Sequence, residues 1–465
     1  MDSAPAYLSE TPLAWALDTN QLDEYCSVCA KQGSAKHPLQ RCTRCKLTPG
    51  CIPNDDVRLV CRLLDLFNLN RECRSRKTDG RNFEALETHS KHILTIETGR
   101  KHFAQFWEHF ASFVGKHDKT DSLKELHPHT VYMVYARCRC NALAVLNNSL
   151  SQIGVGLYVS LSRFDHSCAP TGRMVCTGVQ CTLIVPDRKD TPPQSSGADS
   201  NWRTYTHSYV NELRPKAERQ LDVRTSYYFD CACQRCTGDP TEPIAKCQNG
   251  GALQHEVTSI IWAKRDAAGL TSTCEISEEL HSFRGLSGTR SCTGHFVPDS
   301  PSASCNECHL VPSKDQLSTA RMAVQMAQSV LETIASRNVD DDKLYQLTTK
   351  TISVVDNVLH PYNLNLLRLY DQCMHVCAKL QKFPEATTYG CKVLSAVKHY
   401  CRARDPYLIV KTWNAAKCAY NAQHFDKALE ILGPDFVANV TFVFGARHER
   451  VTEAVELVGR CRKKN

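Results

Sequence analysis

The chain lacks three features that would each assign it to a class directly. No apolar run suits a membrane span, because the longest charge-free stretch, which includes residues 141–162, is rich in Ser, Asn, Gln and Gly. A strong charge of one sign is missing too: 56 Lys and Arg face 49 Asp and Glu, which argues against direct nucleic-acid binding. Residues 1–17 lack the basic start and apolar core of a secretory signal, so we expect a protein of the cytoplasm and nucleus.

Cysteine, by contrast, is abundant, at 26 of 465 residues. This exceeds what an ordinary cytosolic enzyme needs, yet it is below the density of a small disulfide-rich scaffold. In a chain without a secretory signal, clustered cysteines bind metal more often than they form disulfides. The composition therefore predicts structural zinc.

The first cysteine cluster consists of two Cys-x2-Cys pairs separated by 12 residues: Cys26, Cys29, Cys42 and Cys45. Two thiolates on one tight turn can bind one side of a tetrahedral zinc ion, so two such turns can complete the site. Cys51 follows six positions after the last of them and is a further candidate ligand. We predict a zinc module here.

The second cluster is Cys231-x-Cys233-x2-Cys236. Three thiolates do not complete a structural zinc site, which almost always has four ligands. A fourth ligand must come from elsewhere in the fold, and we favour Cys168.

A third group of cysteines is spaced less regularly: Cys247, Cys274, Cys292, Cys305 and Cys308. Its last two members form a Cys-x2-Cys pair that can supply two zinc ligands. Spacing alone leaves two interpretations open, a further zinc site or unrelated thiols.

Four segments of the middle of the chain carry a family resemblance when taken in order. They are Asn141, Gly154-Val-Gly-Leu-Tyr158, Asp165-His-Ser-Cys168-Ala-Pro170 and Tyr227-Tyr-Phe-Asp-Cys231-Ala-Cys233-Gln-Arg-Cys236. This order resembles the SET and MYND domain-containing protein-lysine methyltransferases, in which a MYND zinc module is inserted into a SET domain. The resemblance covers about residues 13–236, and a helical C-terminal domain is also similar.

The resemblance implies an α+β fold of several parts. These are a SET-domain β-fold with an inserted partial MYND zinc module, a post-SET zinc site and a C-terminal α-helical, tetratricopeptide-like domain. The expected divisions are 1–25 for a remnant of the SET N-terminal part, 26–52 for the partial MYND module, 53–140 for a helical insertion, 141–230 for the SET core, 231–310 for the post-SET zinc site and a Cys-rich linker, and 318–465 for the helical domain.

The resemblance also implies a function, namely transfer of a methyl group from S-adenosylmethionine to a lysine of a histone or another protein. The site residues carried over are Tyr209 and Tyr227 at the methyl-transfer channel, Asn141, Asp165, His166 and Phe229 for the cofactor, and Cys168, Cys231, Cys233 and Cys236 for zinc. Tyrosine hydroxyls suit this chemistry, because they can orient a neutral amine without acting as a strong base. We expect a monomer whose partners are protein substrates and transcription-regulatory proteins, with no membrane partner.

The sequence departs from the family pattern at four points, one of which is a turn-rich insertion at residues 186–202. The first glycine of the chain is Gly33, so the Gly-x-Gly segment that lines the family's cofactor pocket is missing and the chain resembles an N-terminally shortened product. The MYND module has half the usual ligands, and Asp165 stands where the family has Asn. These departures support an alternative function, a catalytically weak zinc protein on the same fold that acts as a protein-interaction or transcription-regulatory module.

The C-terminal region has the three- and four-residue apolar spacing of amphipathic helices. We predict helices over 320–334 and 344–359, followed by a weak repeat in which 367–386 aligns with 409–428 at an offset of 42 residues. Each repeat places a helix, an aromatic turn and a second helix. The pattern resembles tetratricopeptide hairpins, and a generic helical bundle is the alternative.

Overall fold

The computed structural model shows a chain of many helices and several small β-sheets. The described residues are 6–34, 38–39, 54–69, 72–75, 77–78, 80–117, 123, 125–185, 205–238, 242–247, 292–298, 303–336 and 339–464. Within these ranges there are fifteen α-helices and ten short strands, the mixed α and β composition that the sequence predicts. None of the helices in this part of the chain is both long and apolar enough to cross a bilayer.

The first strands of the chain pair with strands that come much later in the sequence. The first eight strands are β1 (Ala6–Glu10), β2 (Ala14–Leu17), β3 (Ala142–Leu146), β4 (Gln152–Leu157), β5 (Asp165–His166), β6 (Arg173–Thr177), β7 (Gln180–Ile184) and β8 (Thr206–His207). One antiparallel sheet has the order β2-β4-β3, a second has the order β1-β7-β6, and β5 pairs with β8 in parallel. The N-terminal strands therefore fold together with the predicted SET core.

The Gly-Val-Gly motif of β4 is explained by close packing against its neighbours. A Cβ at Gly154 would lie 2.9 Å from the Cα of Leu17 in β2, and one at Gly156 would lie 2.8 Å from the ring of Tyr158. Only glycine lets the strand backbones approach this closely. The two glycines therefore set the spacing of the central sheet.

Five α-helices are present in the described residues between β2 and β3. They are α1 (Asp55–Leu69), α2 (Glu72–Ser75), α3 (Ser90–Thr95), α4 (Glu97–His117) and α5 (Pro128–Asn141). The apolar face of α1, including Cys61, is buried in a core that also contains Ala16 of β2 and Leu157 of β4. Because α5 ends at Asn141 and β3 begins at the next residue, the helices hold this asparagine beside the sheets.

A segment described over residues 205–238, 242–247 and 292–298 follows the sheets and leads to the C-terminal helices. It contains α6 (Lys216–Tyr227), α7 (Gln234–Thr237) and an antiparallel pair, β9 (Ala245–Lys246) and β10 (His295–Phe296). Helix α6 ends where Tyr228 adopts a left-handed conformation, with φ of 64°. This turn redirects the chain, so that the cysteines after it face back toward the sheets.

Eight helices form the C-terminal region: α8 (Lys314–Ser336), α9 (Asp341–Val355), α10 (Leu364–Lys379), α11 (Phe383–Tyr400), α12 (Pro406–Asn421), α13 (Phe425–Leu432), α14 (Phe436–Phe444) and α15 (Glu449–Lys464). The predicted helix 344–359 is wrong at its end, because α9 stops at Val355. The backbone beyond it pairs with the β9 segment instead: the Lys246 N–H donates to the Val358 carbonyl at 2.9 Å.

The predicted 42-residue offset appears in the helices. Helix α12 begins 42 residues after α10, and α13 begins 42 residues after α11. Apolar side chains of α8 through α12 share one buried core, so consecutive helices are packed together. The structure therefore contains the two predicted helical hairpins, and their assignment as tetratricopeptide units stays a prediction.

One arginine forms ion pairs that connect the sheets to the C-terminal helices. Arg173 of β6 lies 2.7 Å from a carboxylate oxygen of Asp405, which precedes α12, and 3.0 Å from one of Glu212. Asp405 is almost fully buried, and the pKa of Arg173 is raised, since the two carboxylates outweigh the opposing effect of its burial. The sheets and the helices are thus joined by a buried ion pair as well as by apolar contact.

Candidate functional site

A cavity of about 810 Å³ lies where α5, β5 and the segment after α6 meet. Its lining contains all six residues that the sequence suggests for catalysis and cofactor binding: Asn141, Asp165, His166, Tyr209, Tyr227 and Phe229. The lining also includes residues that the sequence reasoning missed, among them Arg81, Glu87, His89, Cys140, Ser162 and Arg163. The fold therefore brings together in one place residues from widely separated parts of the chain.

His166 is held by hydrogen bonds at both ring nitrogens. Nδ1 accepts a 3.0 Å hydrogen bond from the backbone N–H of Tyr209, and Nε2 lies 3.3 Å from Sγ of Cys168. Because Nδ1 acts as the acceptor, the ring proton must be on Nε2, which can donate to the sulfur. Burial, with a smaller effect of Arg219, lowers the pKa of His166 to about 4, so the ring is neutral.

Tyr209 and Tyr227 lie against each other, with ring centroids 4.8 Å apart. The hydroxyl of Tyr209 donates to the Phe164 carbonyl at 2.8 Å, and that of Tyr227 donates to the Tyr209 carbonyl at 3.4 Å. Burial raises the pKa of both phenols. The two tyrosines are therefore neutral, and each hydroxyl oxygen keeps lone-pair capacity to accept a hydrogen bond.

Asn141 and Glu87 form one connected unit at the cavity wall. The Asn141 amide nitrogen donates to the carbonyls of Glu87 at 2.7 Å and Arg137 at 2.8 Å, which uses both of its N–H bonds. The Glu87 carboxylate accepts from the backbone N–H groups of Thr88 and His89, and these bonds lower its pKa. Asn141 therefore positions a segment that presents an ionised carboxylate.

Two guanidinium groups, those of Arg81 and Arg163, line the same cavity as Asp165. Burial and the neighbouring Arg163 lower the pKa of Arg81, whereas Asp165 and Glu10 favour its charge. Nη1 of Arg81 is buried and has no hydrogen-bond partner within the described part of the chain. A buried guanidinium nitrogen without a partner is costly, and an anionic ligand group would relieve that cost.

The four cysteines of the predicted post-SET site meet beside the cavity. The sulfurs of Cys168, Cys231, Cys233 and Cys236 all lie within 4.8 Å of one another. Sγ of Cys168 is 4.0 Å from that of Cys231 and 3.6 Å from that of Cys236. Tetrahedral zinc with Zn–S bonds of about 2.3 Å separates its sulfurs by roughly 3.8 Å, so the arrangement fits zinc.

The first pair of the predicted zinc module forms a tight turn. The Val28 N–H points to Sγ of Cys26 at 3.5 Å, and the Ala30 N–H donates to the Cys26 carbonyl at 2.9 Å. Ala30 has a left-handed conformation, with φ of 58°. The other candidate ligands of this module, Cys42, Cys45 and Cys51, lie outside the described residues.

Two cysteines that the sequence reasoning did not single out form a disulfide. Cys176 of β6 and Cys181 of β7 face each other in the strand register and are bonded. The expectation that clustered thiols bind metal does not extend to this pair, because neighbouring strands place their side chains directly opposite each other.

The missed cavity residues have only weak sequence signals. Arg163 stands two positions before Asp165 and is thus adjacent to a recognised motif, whereas Arg81 and Glu87 lie in an irregular segment between α2 and α3. The spacing of such a segment reveals neither burial nor direction. Only the packing of α5 against this segment shows that it lines the cavity.

The chain matches no family model, but several characterised proteins are similar to it. It is 23% identical to SET domain-containing protein 14 of Caenorhabditis elegans over an alignment of 454 residues, and the match covers 91% of each chain. It is 26% identical to histone-lysine N-methyltransferase SMYD3 of Mus musculus over 219 residues, and 24% identical to N-lysine methyltransferase SMYD2-B of Danio rerio over 215 residues. These two matches cover 46% of this chain and 47% and 45% of the relatives, so the chain spans about half their length.

The cavity thus combines two adjacent tyrosines with a neighbouring cluster of four cysteines. The chain is therefore similar to a protein named for its SET domain and to proteins named as SMYD lysine methyltransferases, and this confirms the resemblance in the motif order.

Proposed function

We propose that the chain transfers a methyl group from S-adenosylmethionine to a lysine side chain of a protein, and that the 810 Å³ cavity is the site. The observation that carries this proposal is the convergence of Asn141, His166, Tyr209, Tyr227 and Phe229 on one cavity. Four separate segments supply these residues, and local packing alone gives no reason for them to meet. The names of the SMYD2-B and SMYD3 relatives, both lysine methyltransferases, support the same reaction class.

The cavity fits S-adenosylmethionine in size and in charge. Its volume lies within the usual range for small-molecule sites. Arg81, whose buried Nη1 has no protein partner in the described residues, would bind the ligand's carboxylate together with Arg163. Phe229 supplies an aromatic surface for the adenine. When bound, S-adenosylmethionine supplies a methyl group activated by a positively charged sulfonium.

Tyr209 and Tyr227 would orient the lysine amine. Their raised pKa values keep both phenols neutral at physiological pH, so they act through hydrogen bonds and do not serve as bases. A lysine amine has a pKa of about 10.4 in water and must lose its proton before it can react. Burial in the cavity would favour the neutral amine.

The cluster of Cys168, Cys231, Cys233 and Cys236 would hold a structural zinc ion. Four thiolates close the tetrahedron and leave no open position, which is the pattern of a structural site. The ion would join the β5 segment to the segment after α6. His166 lies two residues before Cys168 and Phe229 two residues before Cys231, so zinc would fix both walls of the cavity.

The proposal is tested by methyl transfer from labelled S-adenosylmethionine to histones and to a cell extract, using the full chain. We expect labelling that falls by about tenfold in Tyr227→Phe, because one hydrogen bond to the reacting amine is lost. Tyr345→Phe is the matched control, since the Tyr345 hydroxyl bonds to Glu385 at the exposed surface of the helices. Absence of labelling by the zinc-loaded wild-type chain across all substrates would overturn the proposal.

A catalytically weak interaction module is the second candidate, and one observation favours it. Both N–H bonds of the Asn141 amide are used by protein carbonyls, so this residue offers a ligand only its oxygen. Calorimetry with millimolar S-adenosylmethionine separates the two candidates. Heat of binding supports the enzyme, and no detectable heat supports the module.

A further inference from the structure

A second four-cysteine cluster lies outside the cavity, between the sheets and the C-terminal helices. The sulfurs of Cys247, Cys292, Cys305 and Cys308 all lie within 4.8 Å of one another. Sγ of Cys247 is 3.5 Å from that of Cys308, and Sγ of Cys292 is 3.6 Å from that of Cys305. We propose that these four residues bind a structural zinc ion, separate from the one beside the cavity and independent of the proposed methyl transfer.

The Cys305-x2-Cys308 turn has the hydrogen-bond pattern of a metal-binding knuckle. The Glu307 N–H points to Sγ of Cys305 at 3.4 Å, and the His309 N–H donates to the Cys305 carbonyl at 3.0 Å. The Cys305 N–H donates to the Leu310 carbonyl at 2.9 Å, and His309 has a left-handed φ of 56°. An N–H aimed at a sulfur stabilises the thiolate, which is the form that binds zinc.

The same pattern occurs, position by position, at the Cys26-x2-Cys29 turn. There the Val28 N–H points to Sγ of Cys26, as the Glu307 N–H does to Cys305. Ala30 is left-handed, as His309 is, and the Cys26 N–H donates to the Lys31 carbonyl at 2.9 Å. Two turns that share only the cysteine spacing have adopted one backbone geometry. This agreement indicates that the geometry serves the sulfurs and does not arise from the other side chains.

The other two candidate ligands lie beside the β9–β10 pair: Cys247 directly follows β9, and Cys292 precedes β10. The Gly294 N–H points to Sγ of Cys292 at 3.4 Å, and the Cys247 N–H donates to the Gly294 carbonyl at 2.9 Å. Gly294 also faces the knuckle, since a Cβ there would overlap Sγ of Cys305 and lie 2.9 Å from Oδ1 of Asn306. Glycine is therefore required for the two halves of the cluster to meet.

The four-sulfur arrangement matches a closed zinc site in number and in spacing. Tetrahedral zinc with thiolate ligands has sulfurs about 3.8 Å apart, and no position remains for a substrate or water. The ion would therefore be structural. Its four ligands are all cysteines, and Cys247 and Cys305 are buried while Cys308 is exposed, so zinc can enter from the solvent side.

The proposed ion would fasten the β9–β10 pair to the C-terminal helices. Ala245 forms a bridge to Leu359, and the His360 N–H donates to the Ile244 carbonyl at 3.1 Å. Ala245 and Phe296 are buried in the same core as α8 through α12. A metal that joins Cys247 to Cys292 would link two positions far apart in the sequence, which would stabilise the fold mainly by restricting the unfolded chain.

The proposal is tested by elemental mass spectrometry, which measures the number of zinc ions bound per molecule of the chain. We expect Cys305→Ser/Cys308→Ser to lose one zinc per chain relative to wild type, and Cys231→Ser/Cys236→Ser to lose one independently. Cys391→Ser is the matched control, because this half-buried cysteine lies on α11 away from both clusters. Unchanged zinc in Cys305→Ser/Cys308→Ser, together with a loss in the cavity-side variant, would overturn the second site alone.

Alkylation of the native chain provides a second measurement that needs no variant. We expect Cys305 and Cys308 to resist iodoacetamide until a chelator is added, although Cys308 is exposed. Equal alkylation with and without chelator would contradict a metal site. Two disulfides also lower the intact mass of the chain, by the hydrogens that they lose. If peptide mapping assigns them to Cys247–Cys308 and Cys292–Cys305, the four cysteines form a disulfide pair and the metal site is contradicted.

Discussion

The backbone N–H of Tyr209 donates a 3.0 Å hydrogen bond to Nδ1 of His166, whose other ring nitrogen lies 3.3 Å from Sγ of Cys168. A single imidazole therefore connects the cysteine cluster to a tyrosine of the cavity. In metal sites, groups that bond to a ligand orient it and tune its charge. Here the same bond also fixes the backbone that carries Tyr209, so the cluster and the cavity are mechanically linked.

We predict that His166 acts as a positioning residue. In His166→Phe the ring remains but both hydrogen bonds are lost, so kcat should fall by about 10- to 100-fold while KM for the protein substrate changes little. His166→Asn should recover much of the activity, because its side-chain oxygen can accept from the Tyr209 N–H. Steady-state kinetics measures both values, and the exposed His129→Phe is the control. An increase in KM with unchanged kcat would contradict the positioning role.

The unpartnered nitrogen of Arg81 predicts a contribution to ligand binding. Replacing Arg81 by Met removes the cation and leaves a side chain of similar length, so calorimetry should show S-adenosylmethionine binding at least about tenfold weaker. Binding of S-adenosylhomocysteine, which carries the same carboxylate, should be weakened by the same factor. Arg460→Met on the exposed face of α15 is the control. If Arg81→Met binds both ligands with wild-type affinity, the carboxylate lies elsewhere.

Buried His207 predicts loss of stability in mild acid. Burial lowers the pKa of His207 to about 4, and its Nε2 has no partner in the described part of the chain. An unfolded histidine has a pKa of about 6.5, so below that value the unfolded chain takes up a proton that the folded chain refuses. The contribution of His207 to the unfolding free energy is therefore fully present above about pH 6.5. As the pH falls below that value, the contribution decreases by at most about 1.4 kcal/mol per pH unit.

Urea unfolding between pH 7 and 5.5 measures this dependence. His207→Gln cannot take up the proton, so its unfolding free energy should depend less steeply on pH than that of wild type. His129→Gln, which replaces an exposed histidine, should keep the wild-type slope. Identical slopes in all three proteins would show that His207 does not contribute.

Two glycines of different surroundings provide a matched test of the packing. Gly154→Ala should destabilise the chain by about 1–3 kcal/mol, because the added Cβ would lie 2.9 Å from the Cα of Leu17 and must push β2 away from β4. Gly459→Ala lies within α15, where nothing is within 4 Å of an added Cβ, and should stabilise by about 0.5–1 kcal/mol. Thermal unfolding measures both, and shifts of the same sign would contradict the packing argument.

The helices and the six candidate cavity residues could be predicted from the sequence, for different reasons. Apolar periodicity reports which face of a helix is buried, so the hairpins α10–α11 and α12–α13 follow from spacing alone. The end of α9 does not follow, because its last predicted turn pairs with the distant β9 segment. The cavity residues were recognised from the order of short motifs, which carries no geometry.

The amino-acid sequence by itself determined the family resemblance, the four cysteines beside the cavity and the 42-residue helical offset, since each depends on residue type and local spacing. Only the tertiary structure decided that Arg81 and Glu87 enter the cavity and that Cys247 and Cys292 join the Cys305-x2-Cys308 turn. The physical reason is the same in both cases. These residues come from irregular or distant segments, and their side chains meet only because helices and strands elsewhere bury their own apolar faces and bring the segments together.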